Sequence, residues 1–170
     1  MQSTLSEVHQ GDTEGTGKGK QYCGLSDNSC GLNKGKGVVR SQTSWTPPEE
    51  VWTKLNVDGS FVAQTGQAGV GVVARNSQGK VIFTAWQELT RCSDAAEADA
   101  NACTNGLRLA VQLSPGKVIL ETDCVRIARA LQAEVDRSEL AFIIGEAQEY
   151  MKLLEECRVV QGQAYEGPLR

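Results

Sequence analysis

Three separated carboxylates are the residues of this sequence whose types and spacing could support chemistry. Asp58 ends the apolar segment LNVD, Glu97 lies in the first turn of a predicted helix, and Asp123 ends the segment VILETD. Carboxylates that converge repel one another unless cations lie between them, and oxygen-only ligands suit Mg²⁺ or Mn²⁺. Two such ions about 3.5–4 Å apart can activate a water and stabilise the leaving oxygen of a phosphodiester. The three acids therefore predict a metal-dependent hydrolytic site.

Each acid also has a structural explanation. Asp58 precedes a glycine, and Asp-Gly is a common turn signal. Glu97 stands three residues after Asp94, so the pair could form a capping box. Asp123 could cap the helix that follows it. Taken one at a time, these explanations are favoured, so the metal site depends on the acids meeting in the fold.

Changes in the hydrophobic period predict the elements that must position these acids. The predicted strands cover residues 54–61, 68–76, 80–86, 117–122 and 157–163. The predicted helices cover residues 94–113, 124–135 and 138–156. The link NSQG joins the second and third strands as an antiparallel hairpin. An antiparallel group followed by strands alternating with helices predicts a mixed α/β sheet with helices packed on it.

This order predicts where the acids converge. A parallel strand beside the first strand would bring Asp58 and Asp123 to the same edge of the sheet, where α/β folds place ligands. On a helical wheel Glu97 lies about 90° from the centre of the apolar stripe, so it could lean over that edge. The joint arrangement favours the metal site over three separate structural roles.

Composition limits the other possibilities. Of 170 residues, 40% are hydrophobic, which is enough for the core of one domain over residues 46–170. The preceding residues 1–45 form a tail rich in Gly, Ser and Lys, which we expect to be disordered. No apolar run approaches the ~18 residues needed to span a bilayer, and the first residues do not form a secretory signal. The six cysteines form no CxxC pair and suit reduced thiols in an intracellular protein, with nucleus and cytoplasm unresolved. The net charge of −4 argues against tight, non-specific nucleic-acid binding, but not against a site where metal ions carry the positive charge.

The segments LNVDGSF, GVGVVARNSQGKV, AAEADANACTNGLRLA and VILETDC together resemble the ribonuclease H-like domain. The resemblance covers about residues 45–160 and is greatest to the plant branch related to the ribonuclease H region of non-LTR retroelement reverse transcriptases. It implies a five-stranded mixed sheet, antiparallel in strands 1-2-3 and parallel in strands 1-4-5.

The resemblance also implies an activity. Active members of the family cleave the RNA strand of RNA–DNA hybrids with two Mg²⁺ ions, and we expect the chain to act as a monomer. Asp58, Glu97 and Asp123 match the family's catalytic and metal-binding acids. Gly59 and Ser60 match positions where the backbone lies close to the hybrid.

Three departures from the family pattern bear on that activity. Active bacterial-type members carry a fourth carboxylate near a C-terminal helix, whereas this sequence ends CRVVQGQAYEGPLR, with Glu166 as the available acid and Pro168 disfavouring a helix. The domain has no histidine, since His9 lies in the tail, and CSDAAE lacks the Asn pair of bacterial relatives. These departures predict a C-terminal truncation. They leave two alternatives to a working nuclease: an inactive binding module or retroelement remnant with the same fold, and an unrelated α/β domain whose acids only cap and turn.

Overall fold

The computed structural model describes residues 7–10 and 45–162. The strands in this part of the chain are β1 (Glu7–Gln10), β2 (Trp52–Val62), β3 (Gln67–Arg75), β4 (Val81–Leu89), β5 (Lys117–Thr122) and β6 (Glu156–Gln161). The helices are α1 (Ala95–Leu113), α2 (Val125–Gln132) and α3 (Ala141–Leu153). All of these strands and helices belong to one compact unit. Within the described residues, no helix is both long and apolar enough to cross a membrane.

The strands form one mixed sheet in the order β1-β4-β3-β2-β5-β6. The pairs β2–β3, β3–β4 and β1–β4 are antiparallel, whereas β2–β5 and β5–β6 are parallel. The predicted mixed α/β fold is therefore confirmed, including a last strand that follows the third helix. The third helix is shorter than predicted, because Leu154 already adopts an extended backbone (φ −84°, ψ 154°) as the chain enters β6.

The sheet has six strands rather than the expected five, because β1 pairs with the outer edge of β4. The register runs from Glu7↔Trp86 to Gln10↔Phe83. Residues 8–10 are exposed, so no buried face marks this strand in the sequence. The rest of the tail that was expected to be disordered, residues 1–6 and 11–44, lies outside the described residues.

The core lies between one face of the sheet and the helices. Leu55, Phe83, Leu107 and Leu120 are completely buried there. Helix α1 approaches the sheet closely at Gly106, where an added Cβ would lie 2.8 Å from a methyl group of Val57. This close approach packs the middle of α1 against the middle of β2.

Candidate functional site

The parallel pairing of β2 and β5 ends at a fork in the sheet. Its last pair in the described residues is Asn56↔Glu121, after which β2 continues beside β3 while β5 ends and the chain turns into α2. Asp58 and Asp123 lie two residues beyond that pair, one on each branch of the fork. The predicted convergence of these two acids at one edge of the sheet is what the structure shows.

The third acid at the fork is Asp99. Oxygens from the carboxylates of Asp58, Asp99 and Asp123 all lie within 4.8 Å of one another. Among the described residues, this is the one group of three or more acidic, histidine or cysteine side chains close enough to share a metal ion. Glu97 is not a member of it, so the structure brings together two of the three predicted acids and adds one that sequence reasoning missed.

Glu97 forms the structural alternative, a capping box shifted by one residue: its carboxylate reaches the N–H of Ser93, the residue before the N-cap. Its Oε2 accepts a hydrogen bond from the Ser93 N–H at 2.6 Å, and its own N–H donates to Asp94 Oδ1 at 2.8 Å. Asp94 is the N-cap of α1. These bonds hold the Glu97 carboxylate at the start of the helix. Glu97 and Asp99 are two residues apart, so at 100° per residue they lie about 200° apart around the helix axis and point in different directions.

The sequence did carry a signal for Asp99. Residues i+4 and i+7 from it are Cys103, which is completely buried, and Gly106, which faces β2. Its neighbours Ala98 and Ala100 are also completely buried. Asp99 is therefore an acid among small and apolar residues on the sheet-facing side of α1. An acid in such a position is an exception to ordinary burial, and such exceptions suggest a functional role.

Gly59 allows the helix to bring Asp99 to the fork. A Cβ at this glycine would lie 2.6 Å from the Asp99 nitrogen and 2.7 Å from the Ala98 carbonyl carbon. These are backbone atoms, so any larger residue would displace the helix. The next residue, Ser60, is exposed, and its hydroxyl donates to the Gly69 carbonyl at 3.3 Å.

The electrostatics of the cluster favour a bound cation. Partial burial raises the pKa of Asp58, the charge of Asp123 adds to this, and the Gly59 N–H opposes it. Burial also raises the pKa of Asp99; the Cys124 thiol and the Gly59 N–H lower it by hydrogen bonding, while Asp123 and Asp58 raise it. A cation among the three carboxylates would relieve this repulsion. The donor set, three carboxylates and no nitrogen or sulfur, fits a hard divalent ion.

Several predicted features lie elsewhere. Glu166 and Pro168, which bear on the fourth carboxylate, lie outside the described residues, as do Cys23 and Cys30. The other four cysteines are free thiols: Cys92, Cys103, Cys124 and Cys157.

Comparisons with known proteins agree with the fold. The model of the reverse transcriptase-like family matches residues 56–161. No curated protein matches the sequence significantly. Among solved structures, ribonuclease H1 from the halophilic archaeon Halobacterium salinarum superposes with a TM-score of 0.61 at 18% identity, covering 66% of this chain and 86% of that one. The N-terminal ribonuclease H domain of a Mycobacterium tuberculosis protein gives 0.61 at 19% identity, covering 67% and 84%.

A third similar structure was solved with nucleic acid. LC11-RNase H1, in complex with an RNA/DNA hybrid, gives a TM-score of 0.57 at 17% identity, covering 65% of this chain and 85% of that one. At these identities the likeness establishes a shared fold, which is the ribonuclease H fold.

Proposed function

The chain belongs to the reverse transcriptase-like family, and from this premise we propose that it is a divalent-metal-dependent nuclease that hydrolyses the RNA strand of RNA–DNA hybrids. The observation that carries the proposal is the convergence of Asp58, Asp99 and Asp123 at the fork between β2 and β5. Acids that serve only turns and caps gain nothing from lying together, because their like charges repel one another.

The three aspartates are the residues that would hold Mg²⁺, with Mn²⁺ as an alternative. When bound, the ions would supply Lewis-acid stabilisation of the negative charge that develops on the phosphodiester. The protein's own contribution is positional. The Gly59 N–H holds the Asp58 and Asp99 carboxylates, and the close approach of α1 sets their separation.

The proposed substrate follows from two further observations. LC11-RNase H1 was solved in complex with an RNA/DNA hybrid, and its fold is shared by this chain. Ser60 is exposed on β2 two residues past Asp58, where Gly59 and Ser60 would contact the hybrid next to the cluster. Selecting the RNA strand requires contact with its 2′-hydroxyl groups in the minor groove, and the Ser60 hydroxyl has the chemistry for such a contact.

A cleavage assay on a labelled RNA–DNA hybrid with Mg²⁺ tests the proposal. We expect cleavage by the wild type, with Asp58→Asn and Asp99→Asn each reducing kcat by at least about 10²-fold, because each removes a charge that holds the ions. Glu97→Gln is the matched control, since glutamine preserves the capping box. It should cleave at a rate close to that of the wild type.

Each other outcome has a definite meaning. Wild type that binds the hybrid without cutting it would identify a binding module in place of a nuclease. Equal cleavage by wild type and Asp58→Asn would reveal a contaminating nuclease. Loss of activity in Glu97→Gln together with full activity in Asp99→Asn would make Glu97 the catalytic acid.

A further inference from the structure

A polar cluster crosses from β2 to β5 directly beneath the candidate site. Two side chains of β2 contact the carboxylate of Glu121 on β5. Lys54 Nζ lies 2.8 Å from Glu121 Oε2, and the Asn56 amide donates a hydrogen bond to Glu121 Oε1 at 3.0 Å. Side chains alternate between the faces of a strand, so Lys54 and Asn56 share their face of β2 with Asp58. We call Lys54, Asn56 and Glu121 the Glu121 clamp.

The position of this clamp along the strands is informative. Asn56 and Glu121 form the last β2–β5 pair before the fork. Beyond it, no backbone pairing between these strands joins the branches that carry Asp58 and Asp123 in the described residues. The separation of the two acids therefore depends on how firmly the strands are held at this last pair.

The clamp is well shielded from water and sterically enclosed. The side chains of Lys54 and Glu121 are 12% and 21% exposed, whereas the exposed fractions in the Lys117–Glu156 pair, at the other end of β5, are 32% and 41%. A Cβ at Gly162, just after β6, would lie 2.7 Å from Glu121 Cγ, so this glycine packs against the Glu121 side chain. Low exposure weakens solvent screening, which makes this ion pair more effective than a surface pair.

We propose that the Glu121 clamp is a positioning device that sets the separation of Asp58 and Asp123 and thereby the affinity of the site for divalent ions. This inference rests on the proposed function, because it concerns the same acids. Both Glu121 oxygens are occupied by Lys54 and Asn56, so Glu121 acts through the two aspartates and is not itself a ligand. Groups that orient metal ligands typically change metal affinity by about 10–100-fold when they are removed.

Glu121→Leu tests the proposal, because it removes both contacts and keeps a side chain of similar size. We expect its dissociation constant for Mn²⁺, measured by calorimetry, to rise by about tenfold or more. At saturating metal, kcat for hybrid cleavage should fall while KM for the hybrid changes less than about threefold, because a displaced acid affects the transition state more than substrate binding.

Two further variants separate positioning from general stability. In Glu121→Gln the new amide oxygen can still accept a hydrogen bond from Lys54. Its NH₂ group can donate to the Asn56 side-chain oxygen once the Asn56 amide is flipped. This variant should therefore keep the Mn²⁺ dissociation constant within about threefold of wild type. Glu156→Leu is the matched change at the far end of β5, where it removes the contacts of Glu156 with Lys117 and Arg158. It should lower the melting temperature at least as much as Glu121→Gln and leave the Mn²⁺ affinity unchanged.

The results can distinguish failure of the clamp from failure of the proposed function. Unchanged Mn²⁺ affinity in Glu121→Leu, or an equal loss of affinity in Glu156→Leu, would overturn the clamp while the nuclease proposal stands. If the wild type binds no Mn²⁺, the proposed function fails. Amide hydrogen exchange then tests whether the Glu121 clamp holds the two strands at the fork. Faster exchange at Asp58 and Asp123 in Glu121→Leu than in Glu156→Leu would support it, and equal exchange would refute it.

Discussion

The close approach of α1 to β2 at Gly59 leads to a prediction in which one methyl group disrupts the site. In Gly59→Ala the new Cβ would lie 2.6 Å from the Asp99 nitrogen and 2.7 Å from the Ala98 carbonyl carbon. Ordinary contact begins at about 3.4 Å, so the helix backbone must retreat by about 0.8 Å. Because these atoms belong to the backbone of α1, no side-chain rotation can relieve the clash.

This displacement gives the expected magnitudes. Forcing an extra carbon into a packed contact costs about 1–3 kcal/mol in the free energy of unfolding. The retreat also carries Asp99 away from Asp58, and a misplacement of about 1 Å in a catalytic site can cost on the order of 10²-fold in rate. We therefore expect Gly59→Ala to remain folded, with a lower melting temperature and about 10²-fold lower kcat on the hybrid.

The matched control is Gly145→Ala in α3, where nothing lies within 4 Å of an added Cβ. Alanine favours a helix interior over glycine by up to about 1 kcal/mol, so this variant should be slightly more stable than wild type and equally active. Thermal unfolding and hybrid cleavage measure both variants. Wild-type activity and stability in Gly59→Ala would refute the argument that this glycine sets the distance between the helix and the strand.

Two further predictions concern the described structure outside the fork. Val51 has a left-handed backbone (φ 64°) and its side chain is 81% exposed. This conformation costs a β-branched residue about 1–2 kcal/mol and is better tolerated by asparagine. Val51→Asn should therefore raise the free energy of unfolding, measured by chemical denaturation, by about 1 kcal/mol. A decrease would contradict this. Burial raises the pKa of Cys103 to about 12 and that of Cys157 to about 11, so both remain protonated at pH 8. Mass spectrometry should find them alkylated by iodoacetamide far more slowly in the native than in the unfolded chain; equal rates would show that they are accessible thiolates.

Much of the fold could be predicted from the sequence because it depends on local patterns. Alternation marks β2, β3 and β4, and a helical stripe marks α1, since each buries one regular face. Strand β1 has no such face, and its pairing with β4 through the backbone leaves no pattern in its side chains. Its place in the sheet therefore depends on contacts that the sequence does not display.

The candidate site was predicted in part for the same reason. Asp58 and Asp123 follow from strand ends and a parallel neighbour, which are properties of topology. Choosing between Glu97 and Asp99 required knowing which of two acids points at the sheet. The Glu97 carboxylate is held by the capping box, while Asp99 reaches the fork because Gly59 admits the helix backbone. That contact joins residues 40 positions apart, so it becomes visible only when the helix is placed on the sheet.

The two acids of α1 should have opposite effects on stability and activity. Burial and the neighbouring aspartates raise the pKa of Asp99, and an acid with a raised folded-state pKa destabilises the fold once the pH exceeds its unfolded pKa. In EDTA at pH 7, Asp99→Asn should therefore raise the free energy of unfolding. This advantage should shrink as the pH falls and the wild-type carboxyl takes up a proton.

Glu97→Ala should instead lower the free energy of unfolding by about 1 kcal/mol at pH 7, because it breaks the capping box, while most of the cleavage activity remains. A divalent ion at ten times its dissociation constant should stabilise the wild type by about 1.4 kcal/mol and Asp99→Asn by much less. Denaturant unfolding with and without Mn²⁺ measures both effects. A residue that serves metal binding is expected to weaken the fold when no metal is bound. If Asp99→Asn is instead destabilised as much as Glu97→Ala in EDTA, then Asp99 supports the helix rather than a metal ion.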